Sequence, residues 1–406
     1  MLKIFIPGGS LLSWSGGIDF LKYILNILDK IQGISVIVGI PVEQIDQRFF
    51  RNVKNVLKRV IGRKINTSTS LLPSDNFFEQ YSNVSIVCHR KKSFPKEAYQ
   101  ADIVFLENKI APKIDRQRII GYIPDLQHIH LPHLFSKKKR NRRNGQFTKV
   151  LKQSGTVFIN SIHTQQDIKN KYPDLASRCE FFSMKFLPLI SNFEIDKVDI
   201  SSYNLPQRYF LISNQLWIHK DHPTAIRAIA ELTREDRYSD VELLCTGKFH
   251  DFRNPDYYPQ IQALIDSLGI KEKVRFLGYI PKKEQLAILR KAVATIQPTL
   301  FEGGPGGGAT YDAVACGVQA IISDIEINKE IKNTRVHFFK VGNSNDLAEK
   351  MKTVLDTFDG NLTMEQLRNK YDENIFQAKK DLEELFKRTT QTLFFHPSTQ
   401  VGLEKQ

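Results

Sequence analysis

The sequence predicts two α/β domains, each built on a parallel sheet with helices on both faces. The first observation is an alternation of short apolar runs with amphipathic segments along most of the chain, typical of parallel strands joined by helices. The second is a break in this alternation at residues 195–206, a polar stretch that contains Ser201, Ser202 and Asn204. The third is the length of 406 residues, which is enough for two domains of ordinary size.

Short apolar runs mark the expected strands, and helical spacing of apolar residues marks the expected helices. The strands are Ile4–Ile6, Ile34–Ile40, Ile86–Cys88, Ile103–Leu106, Ile119–Ile123, Val157–Ile159, Tyr209–Ser213, Val241–Thr246, Val274–Leu277, Ala294–Gln297, Val318–Ser323 and Val336–Phe339. The helices are Ile18–Ile31, Phe49–Ile61, Thr164–Lys171, Pro223–Glu231, Gln260–Leu268, Lys282–Ala292, Leu347–Thr357 and Glu373–Phe395. We expect a first domain at 1–200, a second at 201–385 and a helical tail at 386–406. Doubly wound, Rossmann-like sheets bind ligands beyond the C-terminal ends of their strands, so a ligand site is expected at that edge of the sheets.

The composition is that of a soluble globular protein, with 41% apolar and 25% charged residues. The four cysteines are far apart and form no C-x-x-C pair, which argues against a disulfide framework or a cysteine metal site. The chain opens directly on a strand, so we expect no signal peptide. No stretch approaches the ~18 uncharged apolar residues of a membrane span. A cytoplasmic protein is therefore expected.

Positive charge is concentrated in the first half. Residues 1–200 hold 31 Lys and Arg against 17 Asp and Glu, whereas residues 201–406 hold 27 of each. Residues 48–64 place apolar side chains on one helical face and basic ones on much of the rest, which suits either an anionic membrane surface or a core-facing helix with a solvated outer side. Residues 137–143, Lys-Lys-Lys-Arg-Asn-Arg-Arg, are expected to form a solvated loop. Nucleic acid is a poor partner because no aromatic residues are interleaved for base stacking.

Residues 294–324 predict a strand, a glycine-rich loop, a helix and another strand. The loop glycines are Gly303, Gly304, Gly306, Gly307 and Gly308. Bare backbone at a helix N-terminus above a sheet edge favours an anion such as phosphate. Glu302 and Asp312 flank the loop, and because carboxylates repel phosphate, their expected partners are hydroxyl groups of a sugar or ribose.

This stretch resembles the donor site of retaining glycosyltransferases of the GT-B fold, specifically family 4, the glycosyl transferases group 1. The family pattern Pro-Ser-x-x-Glu-Gly, then Glu-Ala-x-Ala-x-Gly, corresponds here to 298–303 and 312–317. Two departures are an Asp in place of the second Glu and two extra loop residues. The resemblance implies that Glu302 holds sugar hydroxyls during catalysis, that the loop amides bind the donor diphosphate, and that Asp312 binds the ribose.

Three other segments extend the resemblance to the donor. In 209–222, Lys220 corresponds to the family lysine that faces the diphosphate, while Gln215 replaces an arginine. Residues 276–281 correspond to the turn around the nucleobase, where backbone near Tyr279 and Ile280 would contact the base. Gly16 and Gly17 would bring a backbone loop of the first domain to the diphosphate; the other interpretation is an ordinary strand-to-helix turn.

Residues 121–135 resemble an acceptor-side loop of a family-4 subgroup. On that resemblance His128 would contact the sugar or acceptor hydroxyl and act as a catalytic group, with Asp125 orienting it and His130 nearby. A neutral imidazole accepts protons near physiological pH; the alternative is a histidine hydrogen-bonded into a loop. A metal site at His128, His130 and His133 is not expected, since Pro124 and Pro132 break the segment and no Cys or Glu completes a ligand set.

The resemblance implies two domains that face each other across a cleft, and a retaining, metal-independent hexosyltransferase without a cofactor. It would use a nucleotide-diphosphate sugar and a glycan or lipid-linked acceptor in cell-surface polysaccharide synthesis. A peripheral position on the inner face of the membrane would follow from residues 48–64. The rival functions are a nucleotide-sugar epimerase of the same fold and a non-enzymatic binder of an anionic polymer.

Overall fold

The predicted fold class is confirmed by two parallel sheets with helices packed against them. The computed structural model describes residues 1–13, 15–42, 78, 80–90, 94–107, 114–183, 185, 187–190, 193–251 and 253–395. The predicted helix Phe49–Ile61 and the basic segment 48–64 lie outside these residues.

The first sheet has seven strands in the order β3-β2-β1-β4-β5-β6-β7. They are β1 (Leu2–Pro7), β2 (Ile34–Pro41), β3 (Val84–His89), β4 (Ile103–Glu107), β5 (Ile119–Tyr122), β6 (Thr156–Ile159) and β7 (Glu180–Ser183). The described helices of this part are α1 (Ser15–Leu28), α2 (Lys96–Gln100), α3 (Gln127–His130), α4 (Lys137–Gln153), α5 (Ile162–Lys171) and α6 (Pro173–Ala176). Strands β5 and β6 are buried at every residue, as expected for a parallel sheet covered on both faces.

The second sheet has six strands in the order β10-β9-β8-β11-β12-β13. They are β8 (Tyr209–Ser213), β9 (Glu242–Thr246), β10 (Val274–Gly278), β11 (Ala294–Gln297), β12 (Gln319–Ser323) and β13 (Val336–Phe339). Its helices are α7 (His222–Leu232), α8 (Tyr257–Leu268), α9 (Lys282–Lys291), α10 (Gly307–Ala315), α11 (Ser344–Asp356) and α12 (Met364–Phe395). The predicted boundary at residue 200 falls between β7 and β8.

Helix α12 joins the two halves. Its residues Leu367 and Tyr371 pack with the core of the second sheet, whereas Ala378, Leu382 and Phe386 belong to the core of the first. A single helix of 32 residues therefore spans both domains, crossing the end predicted for the second domain at residue 385.

The prediction of a loop at residues 137–143 is wrong. These residues begin α4, whose first turn is capped by the Ser136 hydroxyl accepting the N–H of Lys139 at 3.3 Å. Buried Phe147, Val150 and Leu151 attach the helix to the sheet. The sequence did not predict this helix because its first turns are almost entirely basic or polar. The apolar residues that show helical periodicity begin only in its second half.

The strand orders place the switch points of the sheets between β1 and β4 and between β8 and β11. Ligands of doubly wound sheets bind beyond the C-terminal ends of the strands at such a point. The loops after β8 and β11 carry Lys220 and Glu302, so topology alone brings these two residues to one crevice.

Candidate active site

Lys220 and Glu302 form an ion pair at the centre of this crevice. The Lys220 Nζ lies 2.5 Å from Glu302 Oε1, and the two side chains are only 13% and 10% exposed. Backbone contacts hold them together, because the His219 carbonyl accepts the Leu300 N–H at 2.8 Å and the Thr299 hydroxyl at 3.2 Å. The turn that ends in Lys220 is thus attached to the loop that carries Glu302.

The buried side chain of Gln297 also fixes the position of the Glu302 carboxylate. Gln297, the last residue of β11 and fully buried, donates from Nε2 to Glu302 Oε1 at 2.7 Å. Asn214 donates in turn to Gln297 Oε1. Sequence analysis missed Gln297 and gave Asn214 no role; a polar residue closing an otherwise apolar strand beside the motif was the available signal. The network fixes the carboxylate in one orientation.

The glycine loop bends sharply around the Glu302 carboxylate. Gly306 and Gly307 have φ values of +71° and +64°, a region that side chains disfavour. A Cβ on Gly307 would stand 2.6 Å from Glu302 Oε2. Near Gly308 nothing lies within 4 Å of such an atom, so the start of α10 is open to a ligand. A helix N-terminus with open space before it suits an anion.

Part of the amide set expected to bind phosphate is already occupied. The Gly306 N–H donates to Asn328 Oδ1 at 2.7 Å, and the Gly307 N–H donates to the Gly304 carbonyl at 3.1 Å. Asn328 also donates from Nδ2 to the Ser323 carbonyl. Asn328, which sequence analysis missed, therefore fixes the shape of the loop.

Gly303 and Gly304 lie where the second domain touches the first. A Cβ on Gly303 would stand 3.0 Å from both the Asp125 Cβ and the Pro124 carbonyl oxygen, and one on Gly304 would stand 3.2 Å from the Asn160 Cβ. Glycine at both positions lets the loop pack against the segments that follow β5 and β6. Asp125 consequently lies beside the glycine turn.

A second contact between the domains is made by a side-chain carboxylate at the N-terminus of a helix. The Glu330 carboxylate accepts the N–H groups of Ile162 and His163 at 3.0 and 2.7 Å, in the first turn of α5. Carboxylates are stabilised at helix N-termini. Because Asn328 and Glu330 share one turn of 3-10 helix, this turn connects the glycine loop to the first domain.

Asp312 pairs with Lys282, a residue that sequence analysis did not single out. Their side chains are 24% and 40% exposed, which is more open than the Lys220–Glu302 pair. Desolvation raises the pKa of Asp312, and the charge of Lys282 opposes that rise. Asp19, in the first turns of α1 beside Gly16 and Gly17, acts electrostatically on both partners. The start of α1 therefore faces the Asp312 end of the cleft.

The residues of the predicted base-binding turn differ in their exposure. Tyr279 is 65% exposed and the Lys248 Nζ lies 5.6 Å from the centre of its ring, while Ile280 is buried in the core. Gln215 accepts the Lys248 N–H at 2.9 Å. Its side-chain oxygen thus supports a neighbouring loop and does not replace the positive charge of an arginine.

His128 is buried and hydrogen-bonded at both ring nitrogens. Its Nε2 lies 2.8 Å from Asn144 Oδ1, and its Nδ1 accepts from Arg143 Nε at 3.2 Å. Burial lowers the pKa of His128, which favours the neutral imidazole. Arg143 also donates to Asp125 Oδ1 at 2.6 Å. These contacts fit the alternative of a histidine bonded into a loop, in which His128 and Arg143 hold the Asp125 loop, and a contact of His128 with substrate stays a prediction.

His130 lies at the domain contact, with its ring centre 5.5 Å from that of Phe301. A hydrogen bond from its Nε2 to Asp167 Oδ2 at 2.6 Å raises its pKa. His163 joins these two residues, and the three form a group with the donor atoms that a metal ion requires. The sequence analysis had weighed His128, His130 and His133, of which only His130 belongs to this group.

Comparison with known proteins finds a family match in the second domain. Residues 196–378 match the model of the family "Glycosyl transferases group 1". A curated relative, the O-antigen chain mannosyltransferase RfbU of Salmonella typhimurium, is 27% identical over 137 residues. That match spans 34% of this chain and 35% of the relative.

Solved structures with the same architecture cover nearly the whole chain. HepE of Anabaena in complex with UDP and glucose has a TM-score of 0.61 at 13% identity, covering 96% of this chain and all of that one. A glycosyltransferase from Rickettsia africae has a TM-score of 0.59 at 16% identity, with coverage of 96% and 98%. WaaG, a glycosyltransferase involved in lipopolysaccharide biosynthesis, has a TM-score of 0.51 at 14% identity, with coverage of 93% and 95%. The fold is that of the GT-B glycosyltransferases.

None of the described helices has the length and apolar character needed to cross a membrane.

Proposed function

We propose that this chain, with its glycosyl transferases group 1 domain, transfers a hexosyl group from a nucleotide-diphosphate sugar to a glycan or lipid-linked acceptor. The observation that carries the proposal is the buried Lys220–Glu302 pair, which lies against the glycine turn that contacts the first domain. An ammonium group, an open helix N-terminus and a fixed carboxylate are the groups that a sugar diphosphate needs.

Donor binding would separate the ion pair, because Lys220 would contact the diphosphate and Glu302 the sugar. The diphosphate oxygens would bind to the Lys220 ammonium and to the open N-terminus of α10, because these two groups both favour negative charge. Glu302 would then accept hydrogen bonds from sugar hydroxyls. Gln297 keeps the carboxylate in place while its cationic partner turns to the phosphate.

The remaining donor contacts lie on either side of this centre. Asp312 would exchange Lys282 for the ribose hydroxyls, and the turn at Tyr279 and Ile280 would hold the base. Gly16 and Gly17, in the first turn of α1, would face the diphosphate from the first domain.

Transfer would break the bond between the anomeric carbon and the diphosphate oxygen, whose electron pair stays on the leaving diphosphate. Lys220 and the α10 amides stabilise that charge, the kind of contribution that is commonly the largest in catalysis. The acceptor oxygen attacks the oxocarbenium-like carbon from the same face, which retains the configuration. Its proton passes to the leaving phosphate, so neither His128 nor a metal ion is required.

The acceptor is proposed to be an anionic cell-surface glycan or its lipid-linked precursor, handled in the cytoplasm at the inner face of the membrane. Support comes from the net charge of residues 1–200 and from the relative that builds O-antigen chains. The basic outer face of α4 lies in the same domain.

A panel of nucleotide-diphosphate hexoses tests the proposal on the full chain. Slow release of free nucleoside diphosphate with one donor would support a transferase, and the product formed with an added acceptor would retain the anomeric configuration by NMR. Formation of an isomeric nucleotide sugar would instead indicate an epimerase. Binding without any turnover across the panel would indicate a binder and contradict the proposal.

A further inference from the structure

A cluster of two imidazoles and a carboxylate stands on the first-domain side of the cleft, apart from the donor groups. It consists of His130 from α3 with His163 and Asp167 from α5. The His130 Nε2 lies 2.6 Å from Asp167 Oδ2, and the His163 Nε2 lies 3.7 Å from the same oxygen. The ligand atoms of all three lie within 4.8 Å of one another.

These separations suit a single small cation. A tetrahedral zinc ion with bonds of about 2.0–2.1 Å holds its ligand atoms roughly 3.3–3.5 Å apart. The observed 2.6 and 3.7 Å lie on either side of that value, so small side-chain rotations would bring three ligands around one ion. His163 and Asp167 are one helical turn apart, which puts them on one face of α5.

The elements that carry the ligands are themselves fixed. The His163 N–H donates to Glu330, and the His130 ring packs against Phe301 of the second domain. The side chains of His130, His163 and Asp167 are 34%, 30% and 17% exposed. An ion therefore has access from solvent to a group whose backbone is held in place.

We propose that His130, His163 and Asp167 form a site for a divalent transition-metal ion, with Zn²⁺ the best match. Two imidazole nitrogens and one carboxylate are a ligand set that zinc favours, and three protein ligands leave a fourth position for water or an anionic group of the acceptor. The ion would fasten α3, and with it the acceptor-side loop, to α5. It takes no part in breaking the donor bond.

Metal binding is measured on tag-free, chelator-stripped full-length protein without nucleotide sugar. Zn²⁺ is titrated in competition with a chromophoric chelator, and Co²⁺ is followed by its visible absorption. The variants are His163→Ala and Asp167→Asn, the latter keeping the shape of the side chain, and the control is His133→Ala, an exposed histidine outside the cluster.

Wild type and His133→Ala should each bind one ion. With Co²⁺ they should show the intense visible absorption bands of tetrahedral coordination. Each cluster variant should bind at least about 10-fold more weakly and lose those bands, while keeping the wild-type Tm. Equal binding by wild type and either folded cluster variant, or no wild-type binding at micromolar Zn²⁺, would overturn the site. Because no donor is present, this result is independent of the proposed sugar transfer.

Discussion

Two lysine–carboxylate pairs stand at the two ends of the glycine loop, and they differ in burial and support. The Lys220–Glu302 pair is about 10% exposed and is held by Gln297. The Lys282–Asp312 pair is 24–40% exposed. Removing one partner of a buried pair leaves an uncompensated charge, whereas a more exposed pair contributes little by itself.

For the proposed sugar transfer, we infer from this difference that the two pairs have different roles along the donor. A rigid, water-poor pair suits the bond that breaks, where preorganised charge is most effective. A more open pair suits the ribose, whose hydroxyls carry the same charge before and during reaction. We therefore expect changes at the first pair to lower kcat and changes at the second to raise the donor KM.

The largest expected effect comes from truncating either member of the buried pair. Lys220→Ala and Glu302→Ala should each lower kcat for the best donor by at least ~100-fold, the scale of losing a transition-state contact. Steady-state rates on variants with a verified thermal transition provide the check. Lys329→Ala, from the exposed pair with Glu326 in the same domain, is the control, and near-normal rates in both test variants would remove the site assignment.

A smaller effect is expected from loosening the support behind Glu302. Gln297→Leu removes the donor at 2.7 Å and should lower kcat about 10-fold, because a misplaced catalytic group loses its alignment. Thr295→Val is the matched control, because Thr295 lies on the same strand as Gln297. This variant loses a buried hydrogen bond to the Leu211 carbonyl of β8 without touching Glu302. If both variants lose the same activity, the effect is one of stability and the positioning role is wrong.

Neutralising the more open carboxylate should act mainly on binding. Asp312→Asn should raise the donor KM about 5-fold and change kcat less than about 2-fold, the pattern of a contact made equally in ground and transition states. Initial rates over a wide donor range separate the two constants. A kcat loss as large as that of Glu302→Ala would erase the distinction between the pairs.

Two buried histidines beside Lys220 make the stability of the folded protein sensitive to acid. His219 and His222 adjoin Lys220, and burial together with its charge lowers their pKa values to about 2 and about 3. Neither ring nitrogen of His222 has a hydrogen-bond partner among the described residues. These histidines are neutral in the folded protein but gain protons near pH 6.5 when it unfolds, so stability is complete above that pH and falls below it.

Replacing His222 should flatten this dependence. Between pH 6.5 and 5 the free energy of unfolding should decrease in both proteins, but less steeply in His222→Leu. The two slopes should differ by up to about 1.4 kcal/mol per pH unit. Urea denaturation at several pH values measures the slopes, with the exposed His133→Leu as control. Parallel slopes for wild type and His222→Leu would show that His222 is not neutral in the fold.

Sequence patterns predicted most of the fold because the strands are apolar and buried on both faces. Each described strand except β7 overlaps a predicted run. Strand β7 was missed because it is short, begins at Glu180 and is only partly buried. Helix α4 was missed because basic residues fill its first turns.

The donor side of the site was easier to predict than the acceptor side for a physical reason. Lys220, Glu302 and the glycines lie in continuous local motifs at strand ends. The partners of His128 are Arg143 and Asn144, which lie in the helix mistaken for a loop. The partners of His130 lie more than 30 residues away, and Gln297 carried no pattern except a polar residue at the end of a strand.

The most direct test of the central claim uses titration calorimetry on wild type and Lys220→Ala, with the nucleoside diphosphate of the preferred donor and the matching nucleoside as ligands. If Lys220 holds the departing diphosphate, the variant should bind the nucleoside diphosphate at least about 10-fold more weakly, a loss of about 1.4 kcal/mol, and the nucleoside with unchanged affinity. Unchanged affinity for the nucleoside diphosphate, or an equal loss for both ligands, would contradict the assignment of Lys220 to the diphosphate.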